Sequence, residues 1–171
     1  MQQERAVREG EEFDVAAVDR WLKAQVPSLE GTPKVTQFPG GASNWTYRLQ
    51  YPHRDLILRR PPAGTKAKSA HDMAREYHVQ RALAPVYPHV PAMVALCQDA
   101  DVIGSDFYVM ERIDGLIPRA KLPVRLDERQ TRELCIDVIE RLIELHAVDY
   151  EAIGLASLGK GRGYPRRQVE G

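Results

Sequence analysis

Four short runs in this 171-residue chain carry residue types suited to a phosphorylated ligand. The first is Pro39-Gly40-Gly41-Ala42-Ser43-Asn44. Glycine has no Cβ to hold a ligand away, so backbone N–H groups in such a turn can approach phosphate oxygens closely. Ser43 and Asn44 add side-chain donors. The second run, Leu56-Ile57-Leu58-Arg59-Arg60, ends in two cations. A guanidinium presents a planar fork that matches phosphate oxygens and does not lose its charge. The third is Arg75-Glu76, where a carboxylate could fix a strand cation by an ion pair. The fourth is Phe107–Ile113, which runs into Asp114-Gly115. A strand leaving its sheet at a glycine exposes backbone N–H and C=O groups that can pair with the edge of an adenine. Each run also has a plainer reading: a tight turn, solvent-facing arginines, a solvated helix face, a strand followed by a turn. Taken singly, the plainer reading is the commoner one.

The elements that must position these residues can be read from periodicity. Residues 1–12 are polar and mixed in charge and read as a flexible arm. Apolar residues at Phe13, Ala16, Ala17, Trp21, Leu22 and Val26 have helical spacing, stopped by Pro27. Val35–Phe38, Trp45–Tyr51 and Leu56–Arg60 read as three short strands joined by tight turns, an antiparallel meander. Ser69 and Asp72 have capping-box spacing and predict a helix from Ser69 to about Ala84. Its stripe Met73–Tyr77–Leu83 leaves Glu76 near the edge of the buried face. Met93–Gln98 and Asp106–Ile113 read as strands, with a polar turn between them. Asp127 and Gln130 again have capping-box spacing, ahead of a long helix with Leu134, Val138, Leu142 and Leu145 on one stripe and Ile139 and Ile143 beside it. From Gly159 the chain is Gly-rich and basic. Helix, three strands, helix, two strands and a long helix make an α+β architecture: a five-stranded antiparallel sheet with one inserted helix.

Bulk properties narrow the function. Hydrophobic residues make up 43% of the chain, too many for general disorder. Lys+Arg and Asp+Glu both total 24, and this zero balance argues against a dedicated nucleic-acid binder. No apolar run is long enough for a signal peptide core or a membrane span. Cys97 and Cys135 each sit among apolar neighbours and read as buried free thiols, which fits a reducing cytoplasm.

The order of the four runs is more informative than any one of them. Kinase-like folds place a Gly-rich loop between the first two strands, a cation on the third, a helix Glu pairing it, and a connecting stretch after the fifth. Together with Leu145-His146-Ala147-Val148-Asp149, these runs make the chain resemble the aminoglycoside phosphotransferase (phosphotransferase enzyme) family. It is most similar to the branch related to the kinase-like domain fused to some acyl-CoA dehydrogenases. The resemblance implies a protein-kinase-like N-terminal lobe over residues 13–115 and the first helices of a C-terminal lobe over 116–171. Gly40, Gly41, Ser43 and Asn44 would then cover the nucleotide phosphates. Arg59 would be the strand cation, where many kinases carry Lys, with Glu76 as its partner. Met110 would line the back of the adenine pocket, and the backbones of Glu111 and Ile113 would pair with adenine. The implied ligands are ATP, as Mg-ATP in the intact protein, and a small-molecule hydroxyl acceptor, with a metabolite expected over an antibiotic.

The family's catalytic loop, His-Gly-Asp followed four residues later by Asn, is not in this sequence: none of His53, His71, His78, His89 and His146 precedes Gly-Asp. No catalytic and no metal-binding residue is therefore assigned. The expectation is the ATP-binding portion of a small-molecule kinase, truncated before its catalytic loop and inactive alone. The alternatives are a non-catalytic nucleotide-binding module and a protein-interaction module. Self-association through an exposed face of the 128–146 helix is also expected, because that helix would lack its neighbours.

Overall fold

The computed structural model describes residues 4–39, 44–62, 71–117, 122–158 and 163–170. Gly40, Gly41, Ser43 and the expected helix start at Ser69 lie outside them. The chain divides into two compact units, one drawn from Met1–Tyr77 and Pro91–Arg125 and the other from His78–Val90 and Leu126–Gly171.

The first unit is built on five strands: β1 (Lys34–Gln37), β2 (Trp45–Gln50), β3 (Asp55–Arg60), β4 (Met93–Cys97) and β5 (Phe107–Glu111). Their order across the sheet is β1-β2-β3-β5-β4, and every neighbouring pair is antiparallel. Strand alternation sorts the side chains into two sets. Tyr47, Leu49, Leu56, Leu58, Phe107 and Val109 join Val18 and Leu22 of α1 (Val15–Gln25) in the larger core. Trp21 meets Phe107 edge-on, with ring centroids 5.0 Å apart. The opposite parity places Tyr108 with Met73 and Tyr77 of α2 (Met73–Leu83), flanked by Met93, Leu96 and Met110. One face of the sheet is thus closed by α1, largely through packing, with Tyr51 Oη donating to Asp19 of the helix at 2.9 Å. The other face mixes packing with polar groups.

Several sequence expectations shift. Residues 4–12 are not a loose arm. Arg5 and Gln37 exchange backbone hydrogen bonds, Glu4 pairs with Arg48, and Tyr47 Oη donates to the Glu11 carbonyl. The mixed charge that suggested solvation meets specific partners on β1 and β2. The polar turn after β4 is the short helix α3 (Ala100–Ile103), bracketed by Asp99 as its N-cap and by Gly104 at φ 78°. α2 starts at Met73, because His71 at φ 63° cannot continue into a right-handed helix. Asp72 then caps it by accepting from the Arg75 N–H.

In the second unit, α4 (Glu128–His146) carries the capping box that the Asp127–Gln130 spacing predicts. Tyr87 Oη donates to the Arg141 carbonyl on α4. No described residue of α4 is buried. Cys135 is accordingly exposed rather than buried, whereas Cys97 is buried as expected. The basic tail contains α5 (Tyr164–Glu170), stitched by an Arg166–Glu170 pair one turn apart. Among the described residues no helix is long and apolar enough to cross a membrane.

Candidate functional site

Arg59 owes its position to strand parity. Leu56, Leu58 and Arg60 point into the α1 side, so Ile57 and Arg59 share the α2 side. In the sheet register Arg59 lies opposite Tyr108 and Ile57 opposite Met110. α2 brings Glu76 to the same place because Met73 and Tyr77, four residues apart, are buried beneath it.

Glu76 is the hub of the resulting cluster. Its Oε1 accepts from Asn44 Nδ2 at 2.7 Å, and its Oε2 accepts from Tyr108 Oη at 3.0 Å. Arg59 Nη2 stands 3.6 Å from Oε2, an ion pair beyond hydrogen-bonding range. Asn44 is buried and its Oδ1 lies 2.8 Å from His71 Nδ1. A carboxylate can only accept, so the Asn44 amide nitrogen must face Glu76 and its oxygen must face His71. His71 Nδ1 therefore carries the proton. Both ends of the Asn44 carboxamide are engaged inside the protein, by Glu76 of α2 and by His71.

The cluster leaves cationic capacity available. Arg59 has five N–H donors, and Glu76 engages them only loosely. Its Nε is buried and has no hydrogen-bond partner among the described residues. A guanidinium in that state fits an anion such as a phosphate group. Among the described residues no three His, Cys, Asp or Glu side chains are grouped to hold a metal ion.

The end of β5 supplies the other candidates. Met110 is half-buried beside Met93 and Leu96 on the Arg59 face. Glu111 donates its N–H to the Ala92 carbonyl, and its carboxylate accepts from Arg54 Nε at 2.9 Å. Arg112 donates its N–H to the Asp55 carbonyl. Ile113 is 63% exposed, and its N–H has no backbone partner among the described residues. The structure thus brings together Asn44, Arg59 and Glu76, with Met110 on the same face, and places Glu111 and Ile113 at the strand end.

Sequence reasoning missed two members of the cluster. Tyr108 was accessible from the alternation of β5, since it shares the parity of Met110. His71 carried no sequence signal, because it joins the cluster through an unusual backbone conformation and not through spacing.

Comparison with known proteins supplies the context for this geometry. The model of the phosphotransferase enzyme family matches residues 34–171. The chain is similar to acyl-CoA dehydrogenase family member 11 of Gallus gallus, 40% identical over 95% of this chain and 21% of that protein. It is 34% identical to acyl-CoA dehydrogenase family member 10 of Mus musculus, over 97% of this chain and 16% of that one. The chain therefore spans about a fifth of the length of these curated relatives. A crystal structure from Ralstonia eutropha, assigned as an aminoglycoside phosphotransferase, superposes with a TM-score of 0.74 at 34% identity. That match covers 93% of this chain and 46% of the other.

Proposed function

This chain belongs to the phosphotransferase enzyme family, and we propose that it is the nucleotide-binding portion of a small-molecule kinase. The reading rests on one observation above the others: the half-buried, loosely paired guanidinium of Arg59, whose Nε is buried without a hydrogen-bond partner among the described residues, held beside Glu76 on the sheet. In the proposed role Arg59 holds phosphate oxygens of ATP. Glu76, steadied by Asn44 and Tyr108, keeps the guanidinium in place. Met110 lines the adenine side, and the backbones of Glu111 and Ile113 pair with the base. Gly40, Gly41 and Ser43 would offer loop donors to the phosphates. When bound, ATP supplies a γ-phosphoryl group for a metabolite hydroxyl, with magnesium accompanying it in the whole protein. No residue of this chain is assigned to base catalysis or to the metal, so phosphoryl transfer is not ascribed to residues 1–171 alone.

Mg-ATP titration followed by thermal unfolding tests this. Nucleotide at about 100 times its Kd stabilises a native state by about 2.7 kcal/mol. A saturable upward shift in Tm is expected for the wild type. Arg59→Met should abolish the shift, while Arg59→Lys should retain part of it. The absence of any shift at millimolar nucleotide would refute the proposal.

A further inference from the structure

Arg54, in the tight turn between β2 and β3, and Asp55, the first residue of β3, both reach across to the end of β5. Arg54 Nε donates to Glu111 Oε1 at 2.9 Å. The Asp55 carbonyl accepts the Arg112 N–H at 3.0 Å, and its carboxylate accepts from Arg112 Nη1 at 3.1 Å. The Arg112 side chain turns on to Asp114 at 2.5 Å. Behind the turn, Arg48 grips Asp55 with a two-pronged fork, at 2.7 Å from Nε and 2.6 Å from Nη2. The same Arg48 reaches both carboxylate oxygens of Glu4 at 2.9 and 2.8 Å. The ordered chain of charges is Glu4–Arg48–Asp55–Arg112–Asp114, and its inner members are only partly exposed.

Isolated surface pairs of this kind contribute little, but a network with bidentate geometry is the case in which they order a structure. The location gives the network its consequence. β5 ends at Glu111, and the described residues from Arg112 to Ile117 have no regular secondary structure. The Arg112 contacts are therefore the principal described restraints on the stretch that presents the Ile113 N–H.

We infer that Arg54 and Asp55 are positioning residues for the adenine end of the ligand, setting the Glu111–Ile113 backbone from the β2–β3 turn. The inference rests on reading that backbone as the base-pairing stretch. Burial works to raise the Asp55 carboxyl, but the Arg48 and Arg112 guanidiniums outweigh it and hold it below the ordinary carboxylate value. Asp55 is thus the charged anchor of the network near neutral pH.

The test uses two ligands on the 171-residue chain: Mg-ATP and magnesium tripolyphosphate, which has the phosphates but no base. Calorimetric titration of the wild type should show ATP binding more tightly than tripolyphosphate. Asp55→Asn should weaken ATP by roughly tenfold, as expected for loss of a charge-assisted anchor, and leave tripolyphosphate within about twofold. Arg112→Gln should behave in the same way and decides the matter if the first variant does not fold. Glu4→Gln, at the far end of the chain of charges, should leave both affinities nearly unchanged. Equal weakening of both ligands would mean that the turn only supports the fold, and unchanged ATP affinity would mean that it positions nothing; either overturns the inference. A wild type that binds ATP no better than tripolyphosphate would instead remove the base-pairing reading itself, and the inference with it.

Discussion

Asn44→Asp probes the cluster around Glu76 with a nearly isosteric change. Asn44 is 4% exposed, and its Nδ2 lies 2.7 Å from Glu76 Oε1. The substitution sets two carboxylates against each other. Unit charges about 4 Å apart repel by about 4 kcal/mol at an effective dielectric near 20. Glu76 is 30% exposed and Arg59 stands 3.6 Å from it, so screening reduces the repulsion to roughly 2–3 kcal/mol. The lost amide–carboxylate bond adds about 1 kcal/mol, giving a total of about 3–4 kcal/mol. Asn44→Ala removes the same bonds without adding charge and should cost about 2 kcal/mol. The two variants also differ in pH dependence. Repulsion between the paired carboxylates favours the protonated form of one of them in the native state of the variant. A carboxyl so favoured binds its proton in the native state first, so the stability of the Asp variant falls as pH rises through the range in which carboxyls ionise. Below about pH 4 both states are protonated alike, and an O–H···O bond can replace the lost one. His71 Nδ1 faces the new carboxylate as well, and Tyr108 Oη donates to Glu76. Urea unfolding followed by fluorescence is a suitable assay, because both tryptophans, Trp21 and Trp45, belong to the first unit. Near pH 7 the Asp variant should be less stable than the Ala variant, and near pH 4 the order should reverse. Equal stability near pH 7, or a gap that does not change with pH, would refute the placement of Asn44 against Glu76.

Three further outcomes are expected. Gly31→Ala should cost about 2–4 kcal/mol in urea unfolding, because Gly31 sits at φ +77° and an added Cβ would lie 2.7 Å from Pro52 Cγ. Gly104→Ala, at φ +78° but with open space around it, should cost only about 1 kcal/mol and serves as the control. Burial raises the Cys97 thiol while Cys135 is exposed, so a thiol reagent should label one cysteine quickly in the native chain and both after unfolding; two fast thiols would contradict the fold. Val138, Ile139 and Ile143 are 58%, 55% and 61% exposed, and we propose that α4 drives concentration-dependent self-association of this chain. Ile139→Lys should shift sedimentation toward the monomer, and a single species of constant size in both proteins would discount that role.

Much of the architecture was legible because it depends on local chemistry. The strands announce themselves by alternation, the Asp127–Gln130 spacing marks the start of α4, and Glu76 can be placed at a helix edge from Met73 and Tyr77. What remained hidden depends on long-range pairing. Nothing in Glu4 or Glu11 predicts docking, because their partners on β1 and β2 lie 26 to 44 residues away in the chain. Cys135 was misplaced for the complementary reason. Its apolar neighbours describe what an amphipathic helix offers for burial, whereas exposure depends on what packs against it. The Glu76 cluster shows both limits: Arg59, Glu76 and Asn44 can be named from sequence, but the hydrogen bonds of Tyr108 and His71 that define the carboxylate's surroundings cannot.

The two neighbouring arginines of β3 show how sheet parity separates a structural cation from one suited to a ligand. As sequence, Arg59 and Arg60 are interchangeable. In the sheet, Arg60 takes the parity of Leu56 and Leu58 and enters the α1 side, where its guanidinium lies 4.9 Å from the centre of the Trp45 ring and 5.6 Å from those of Phe13 and Tyr47. Its Nη2 donates to the carbonyls of Glu11 and Glu12, both at 3.1 Å. Those contacts surround the cation with aromatic faces and carbonyl oxygens, while its Nε, like that of Arg59, has no hydrogen-bond partner among the described residues; it serves to fasten the N-terminal segment. Arg59 takes the opposite parity and meets a carboxylate at a distance too long for a hydrogen bond. A one-residue slip of β3 would exchange the two environments and set the loosely paired cation among aromatic rings. The nucleotide-binding reading therefore depends less on the presence of an arginine than on the register of Thr46 with Arg59 and of Arg59 with Tyr108, which determines the side of the sheet on which the loosely paired charge appears.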